Sequence, residues 1–338
     1  MASFGELDAG GVYTPTPLTL IYRFLAWCVV ATLFTFLLNV YLNFWRGWPG
    51  AGAIFADDAG ALPWVQALIY TAAIAGSAIF VARTRQRSLR QDNAVMTAIA
   101  IYIVNAAFWI VLLVGVVDAL VSFLRVEGLL PGLFGNEMAM DLGRNHFRAP
   151  VVHGPLIVIS LILAATSRTL GFTWLALLVV VAELQIVISR FIFSYEQAFM
   201  GDVVRMWYAG LFLFASAYTL IEEGHVRVDV LYSGFNQRTR GLVNAVGSVV
   251  LGLPFCWTII ILGMSKPTSI ITSPLLSLEV TQSGFGMYIK YLMAAFLAVF
   301  AVSMAIQFTG YFLEGVADYR GDAGKRKLDS ETAAAPGA

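Results

Sequence analysis

Ionisable residues inside long apolar runs are where this chain of 338 residues could do chemistry. Glu183 lies near the middle of one such run, and Arg190 follows two helical turns later, on the same face of a helix. Asp202 and Arg205, at the start of the next run, can extend that polar face. Because a charge in hydrocarbon needs a partner, we interpret the four residues as a structural polar seam, inside the chain or against a partner. An ion or proton path is the alternative, but no second mid-span carboxylate accompanies Glu183, since Asp118 lies near the end of its run.

Histidine and cysteine set what cofactor chemistry is available. His146 and His153 flank the start of one apolar run, and two histidines seven residues apart can ligate haem or a metal. A membrane cytochrome that holds two haems needs more histidine ligands than the three present. Cys28 and Cys256 each lie inside an apolar run, which is typical of buried, inert thiols. The sequence therefore predicts no metal and no cofactor.

The stretch "EEGHVRVDVLYSGFNQRTRG", residues 222–241, holds two glutamates, a histidine, an aspartate and three arginines in twenty residues of an apolar chain. Valines alternate with His225, Arg227 and Asp229, and this period of two indicates an extended or surface-lying segment rather than a helix inside a bundle. We expect these three side chains to tie the segment to a helix end or to a partner. A solvated loop is the alternative.

Composition explains what must position these residues. Hydrophobic residues make up 59% of the chain and charged residues 12%, while basic and acidic residues balance at 21 each. A balanced charge gives no reason to expect nucleic acid as a partner. A bilayer core of about 30 Å needs about 20 apolar helical residues, and helices satisfy their own backbone groups in lipid. The sequence predicts an all-α polytopic membrane protein with eight spans, at residues 18–44, 64–82, 94–124, 151–167, 171–193, 203–221, 242–264 and 286–311.

The distribution of arginine and lysine predicts the orientation. With the N-terminus in the cytoplasm, thirteen of the 21 basic residues lie inside and eight lie outside. The strongest contribution is "ARTRQRSLRQDN" between the second and third spans, where four arginines form a stop-and-orient signal. Both termini are therefore predicted to be cytoplasmic.

Residues "WYAGLFLFASAYTLIEEGHVRVDVLYSGFNQRTRGLVNAVGSVVLGLPF" resemble the small, Q-type (DctQ-like) membrane subunit of tripartite ATP-independent periplasmic (TRAP) transporters. In that family a His-x-Arg-x-Asp run and a short basic stretch connect two spans, as His225, Arg227, Asp229 and then Arg238 and Arg240 do here. The resemblance covers about residues 170–315.

Further features agree with the family in order along the chain. "ELQIVISRFIF" is similar to the Gln-then-Arg ending of the family's first helix, although Gln185 and Arg190 are five residues apart instead of one turn. Asp202, with Arg205 after it, stands where the family usually has a glutamate. "LEVTQSGFGMYIKYLMAAFLAVFAVSMAIQ" resembles the family's last helix.

The resemblance implies a role without catalysis. Such a subunit is a scaffold in the bacterial inner membrane for a large membrane subunit, which holds the sodium and substrate sites, and a periplasmic binding protein delivers an organic anion, usually a carboxylate. We expect the large subunit against the aromatic seam of Trp207, Phe212 and Phe214, and membrane lipid around the rest. The alternatives are a self-contained carrier, an enzyme that uses Glu183 as an acid or base, and a membrane anchor of a redox complex.

Three regions are predicted along the chain. Residues 1–167 form a four-span N-terminal extension, residues 168–315 the TRAP-like four-span domain, and residues 316–338 a disordered cytoplasmic tail. Both halves place an arginine-bearing connection after their second span, with Asp92 in one and Asp229 in the other. The extension is either a decayed parallel copy of the second half or an unrelated helical addition.

Overall fold

The computed structural model describes residues 16–56, 60–166, 172–221 and 231–324. Within these ranges the chain is helical and contains no strand. The α-helices are α1 (Pro17–Arg46), α2 (Ala61–Arg83), α3 (Leu89–Val126), α4 (Leu130–Phe134), α5 (Asn136–Leu142), α6 (Asn145–Arg148), α7 (Gly154–Thr166), α8 (Phe172–Phe193), α9 (Ala198–Ile221), α10 (Gln237–Gly247), α11 (Leu253–Met264), α12 (Thr272–Ser277) and α13 (Lys290–Arg320).

Eight helical segments of the described ranges are long and apolar enough to cross a membrane. Two of them combine two α-helices through a π-helical turn: α6 and α7 join through Ala149–His153, and α10 and α11 join through Ser248–Gly252. The predicted all-α, eight-span class is confirmed. The cytoplasmic position of both termini stays a prediction.

Each π-helical turn ends two residues before a proline. Pro155 follows the turn Ala149–His153, and Pro254 follows the turn Ser248–Gly252. Proline lacks an N–H, and its ring clashes with the carbonyl four residues earlier in a regular α-helix. A widened turn at that point relieves the clash and lets the helix continue through the proline.

Capping residues fix the ends of two helices. Thr16 caps α1, because its hydroxyl accepts a hydrogen bond from the backbone N–H of Thr19 at 3.4 Å, and Pro17 follows at the first helical position. Gly47 ends α1 with φ 69°, a conformation that glycine adopts without strain. Asn236 caps α10 in the same way as Thr16 caps α1, accepting from the backbone N–H of Thr239 at 2.8 Å.

α13 extends further than the sequence predicts. It runs to Arg320, so the first five residues of the expected disordered tail, residues 316–320, are helical. Residues 325–338 of that tail lie outside the described ranges.

The chain divides into two compact units, which interleave along the sequence. The first contains the described residues within Met1–Ile99, Thr219–Cys256 and Ala305–Ala338, and the second those within Ala100–Tyr218 and Trp257–Met304. The predicted boundary at residue 167 separates the N-terminal extension from the TRAP-like domain. It rests on family resemblance, which this division into compact units does not test, so it stays a prediction.

A buried amide network joins α1 and α2 in the first unit. The Gln66 side chain is fully buried, and its Nε2 donates to Asn39 Oδ1 at 2.9 Å and to Asn43 Oδ1 at 2.7 Å. Its Oε1 accepts from the backbone N–H of Gly50 at 2.8 Å, which fastens the connection between the two helices. Hydrogen bonds of this kind hold helices together where lipid offers no competing partners.

A buried ion pair in the same unit joins α1 to the start of α3. Arg23 Nε donates to Asp92 Oδ2 at 2.6 Å, and both side chains are fully buried. Trp27 Nε1 donates to the same oxygen at 2.9 Å, and Arg87 Nε donates to Asp92 Oδ1 at 3.0 Å. The first turn of α3 is thereby fixed against α1.

Candidate functional site

The face of α8 that carries Glu183 is exposed. Val180, Glu183, Val187 and Arg190 recur at three- and four-residue spacing on one side of this helix, and all four are exposed. We call these four residues the Glu183 face. Within the described ranges the Glu183 carboxylate has no hydrogen-bond or ion-pair partner.

Arg190 lies at the end of α8, where it has a partner. Its Nε lies 3.4 Å from Glu196 Oε2, and both side chains are more than half exposed. In the same connection Tyr195 donates to Glu127 Oε1 at 2.7 Å. Partial burial and the neighbouring carboxylate of Glu127 raise the pKa of Tyr195 to about 12, so this phenol remains a neutral donor.

Asp202, near the start of α9, anchors the connection before α13. It is buried, and its Oδ2 accepts from the Thr281 hydroxyl at 2.6 Å and from the Met287 backbone N–H at 3.1 Å. A Cβ at position 286 would lie 2.8 Å from this oxygen, so Gly286 permits the close approach. Arg205 Nη1 lies 3.2 Å from Asp202 Oδ1, although the Arg205 side chain is 72% exposed.

The aromatic seam is split between core and surface. Trp207 is buried and packs against Gly115, since a Cβ atom at position 115 would come within 2.6 Å of Trp207 Nε1. This nitrogen donates to the Val111 carbonyl at 3.1 Å. Phe214 is buried against Phe296. Phe212 alone of the three predicted aromatics is exposed, at 60%. Trp207 and Phe214 therefore belong to the core of the second unit, and Phe212 is available to a partner.

His225, Arg227 and Asp229 lie outside the described residues, and so does their predicted contact with a helix end or a partner. The basic stretch after it falls at the start of α10. Arg238 stacks over the Tyr319 ring, with its guanidinium carbon 4.8 Å from the ring centroid. Arg240 donates to the backbone carbonyls of Phe235 and Ser233. Both arginines thus have partners within the first unit.

A second polar cluster, which the sequence did not predict, is buried in the second unit. Asp118 Oδ1 accepts from Arg148 Nη1 at 2.9 Å and lies 3.0 Å from His153 Nε2, while its Oδ2 accepts from the Tyr288 backbone N–H at 2.8 Å. The other ring nitrogen of His153, Nδ1, lies 2.7 Å from the Tyr291 hydroxyl. Since hydrogen bonds engage both ring nitrogens, His153 is not placed as a haem ligand, which counts against the haem alternative.

The sequence indicates parts of this cluster only through residues that are close together along the chain. Asp118 and Ser122 are one helical turn apart on α3, and Arg148 and His153 open the next span. Nothing in the sequence pairs these two sets across the connection between them.

The eight apolar helices, with ion pairs buried between them, define a polytopic α-helical membrane protein. Residues 176–317 match the family model of the DctQ component of tripartite ATP-independent periplasmic transporters. The match covers less than half of the chain and includes most of α8 and nearly all of α13. No curated protein and no solved structure matches the chain.

Residues 176–317 are thus similar to the DctQ component of TRAP transporters, and within the described ranges four further apolar helices precede the matched region. The DctQ component is an inner-membrane transporter component and does not belong to an enzyme family. The predicted location, a multi-pass protein of the inner membrane, is confirmed.

Proposed function

We propose that this chain is the scaffold subunit of a sodium-coupled TRAP transporter that takes up an organic anion. The cargo is a carboxylate delivered by a periplasmic binding protein, and the large membrane subunit holds the cargo and sodium sites. The observation that carries the proposal is the DctQ match over residues 176–317.

The Glu183 face supports a large membrane partner. A charged side chain near the centre of a spanning helix costs about 2.5–3.5 kcal/mol on insertion scales when nothing compensates it. Glu183 is exposed in the middle of α8, and its exposed neighbours Val180 and Val187 are apolar. A partner helix that brings a cationic or hydrogen-bond-donating side chain to Glu183 removes this cost. We therefore assign the Glu183 face to the large subunit, with exposed Phe212 of α9 as a second contact.

The buried carboxylates favour a scaffold over a self-contained carrier. Asp92, Asp118 and Asp202 each accept at least two hydrogen bonds from donors within their own unit. A carboxylate held in this way is a structural tie, whereas a carrier needs polar groups at mid-membrane that its cargo and ions can reach. These three buried carboxylates are thus suited to holding helices together.

We propose interface roles for the other predicted residues as well. His225, Arg227 and Asp229 would fasten the inner connection to a helix end or to the large subunit, and Asp202 with Arg205 would shape the surface at the start of α9. The four-span region of residues 1–167 is proposed as an addition to the transporter fold, whether or not it arose as a repeat.

Reconstitution tests this assignment. The chain, the large subunit and the binding protein are placed in liposomes with an inward sodium gradient, and uptake of radiolabelled succinate, pyruvate and lactate is followed. We expect sodium-dependent uptake of an organic acid only when all three components are present. Uptake that persists when this chain is omitted, or uptake by this chain alone, would contradict the proposal.

A further inference from the structure

Two arginines of the second unit share one aromatic ring. The guanidinium carbon of Arg125, at the end of α3, lies 4.6 Å from the centroid of the Tyr288 ring, and that of Arg148 lies 4.2 Å from it. The Tyr288 hydroxyl donates to the Gly143 carbonyl at 2.6 Å, so this ring is fixed in place. Stacking on an aromatic ring favours a cation but satisfies none of its N–H groups.

The hydrogen bonds of the two guanidinium groups are incomplete. Arg148 is fully buried; its Nε donates to the Leu142 carbonyl, and its Nη1 donates to Asp118 and Ser122. Towards the described residues Arg125 donates only from Nη2, to the Gly286 carbonyl at 2.8 Å. Arg148 Nη2 and both Nε and Nη1 of Arg125 are buried without an acceptor in the described part of the chain. Buried donors of a charged group need an acceptor.

The charges around Tyr288 are unbalanced as well. Among the described residues Asp118 is the one carboxylate that pairs with Arg148, and it is already shared with His153. Within the described ranges no carboxylate lies within 4.0 Å of Arg125, and Glu127, two residues further on, is engaged by Tyr195. The cluster therefore carries one more positive charge than it can neutralise.

We propose that Arg125 and Arg148 form an oxyanion site that binds one carboxylate or phosphate group beside Tyr288. Charge-assisted hydrogen bonds between a guanidinium group and such an oxyanion are about twice as strong as neutral ones. Arg125 supplies its charge and one of its two free donors, Nε or Nη1, which point in different directions, and Arg148 supplies Nη2 and the second charge. The group comes either from a free anion or from a lipid headgroup, since Arg125 stands at the end of a spanning helix. This inference concerns the chain alone and does not rest on the proposed transport function.

The free-anion arm uses inorganic phosphate as the probe. The full chain is purified in an uncharged detergent, and its thermal unfolding midpoint is titrated with sodium phosphate against sodium chloride at matched ionic strength. We expect phosphate to raise the midpoint of the wild type in a saturable way. Arg125→Gln should bind phosphate at least about tenfold more weakly. Arg144→Gln is the matched control, because it removes an equal charge from an exposed arginine that pairs with Asp141. It should respond as the wild type does.

The lipid arm compares nanodiscs of phosphatidylglycerol with nanodiscs of a neutral glycolipid that contains no phosphate. If a lipid phosphate fills the site, phosphatidylglycerol stabilises the wild type more than Arg125→Gln, and added inorganic phosphate has no further effect in that lipid. If a free anion fills it, the inorganic phosphate effect persists in both bilayers. Either result supports the site and identifies its source.

Other outcomes overturn the proposal. If neither phosphate nor phosphatidylglycerol stabilises the wild type, water satisfies the buried donors and there is no oxyanion site. If phosphate or phosphatidylglycerol raised the unfolding midpoints of the wild type and of Arg125→Gln equally, the proposed site would likewise be overturned. Should Arg125→Gln fail to fold, Arg125→Lys decides, because it keeps the charge but loses the guanidinium N–H donors. A response of Arg125→Lys equal to that of the wild type would overturn the role assigned to the Arg125 guanidinium group.

Discussion

Gly241 of α10 and Gly315 of α13 lie so close together that neither position has room for a Cβ atom. A Cβ on Gly241 would come within 2.6 Å of the Gly315 carbonyl oxygen, and a Cβ on Gly315 would come within 2.8 Å of the Gly241 carbonyl oxygen. Small residues let membrane helices approach closely enough for their backbones to pack. The contact of α10 with α13 in the first unit depends on this pair.

Substitution of either glycine should therefore destabilise the chain. Because the obstructing atoms belong to the backbone, Gly241→Ala and Gly315→Ala should each cost about 1–3 kcal/mol, seen as a lower unfolding midpoint in detergent. Gly247→Ala is the control on the same helix, since nothing lies within 4 Å of a Cβ there. It should be neutral or slightly stabilising. Equal midpoints for all three variants would show that the helices do not meet at these glycines.

The ion pair of Arg23 and Asp92 allows a second prediction. Arg23→Gln leaves a buried carboxylate short of its closest cation, and loss of one member of a buried pair costs about 3–5 kcal/mol. Arg85→Gln removes a charge from an exposed arginine of the nearby connection and should have almost no effect. Thermal unfolding of both variants checks this expectation. A midpoint of Arg23→Gln that matches that of Arg85→Gln would contradict the structural role of the pair.

Asp202 is expected to act mainly inside the chain. Asp202→Ala removes the acceptor of Thr281 and leaves the Met287 backbone N–H unpaired, at a cost of about 1–3 kcal/mol. We expect a lower unfolding midpoint and faster proteolysis in the connection of residues 279–289. Arg205→Ala should change stability by about 0–1 kcal/mol, since its ion pair is exposed. An unchanged midpoint for Asp202→Ala, together with loss of a partner, would instead place Asp202 at the subunit interface.

Much of the fold follows from the sequence, because hydrocarbon forces apolar runs into helices. All eight predicted spans have a helix in the structure, yet their ends differ. α10 begins at Gln237 rather than at residue 242, since its polar first turn carries no hydropathy signal. The fourth span begins at Asn145 rather than at residue 151, because the π-helical turn Ala149–His153 continues the helix from α6. The helices α4 and α5 lie in a region predicted only as a loop.

The polar sites were less predictable, because their partners are distant in sequence. The spacing of Glu183 and Arg190 correctly placed both on one face of α8, but it could not show that Arg190 pairs with Glu196. The pairing of Asp118 with Arg148 depends on how two spans pack, and no periodicity within either span indicates it. Sequence shows which residues are costly in lipid, and the packing decides which of them find a partner.

The Glu183 face leads to a prediction about association with the large subunit. Glu183→Leu should leave the isolated chain folded, because the carboxylate has no partner in the described part of the chain. It should weaken association with the large subunit by roughly threefold to thirtyfold, the range of a hydrogen bond between membrane helices. Gln185→Leu is the control: it is an exposed polar residue on another side of the same helix. Retention of the large subunit on each tagged variant measures the effect, and equal retention by both would remove the Glu183 face from the interface.

The proposed role of this chain as the small subunit of a transporter can be tested in its native membrane. The tagged chain is affinity-purified in mild detergent, and the proteins that accompany it are identified by mass spectrometry. We predict a stoichiometric companion that is itself a large multi-span membrane protein. A chain that purifies alone, and that moves sodium or an organic acid in liposomes without help, would contradict the account.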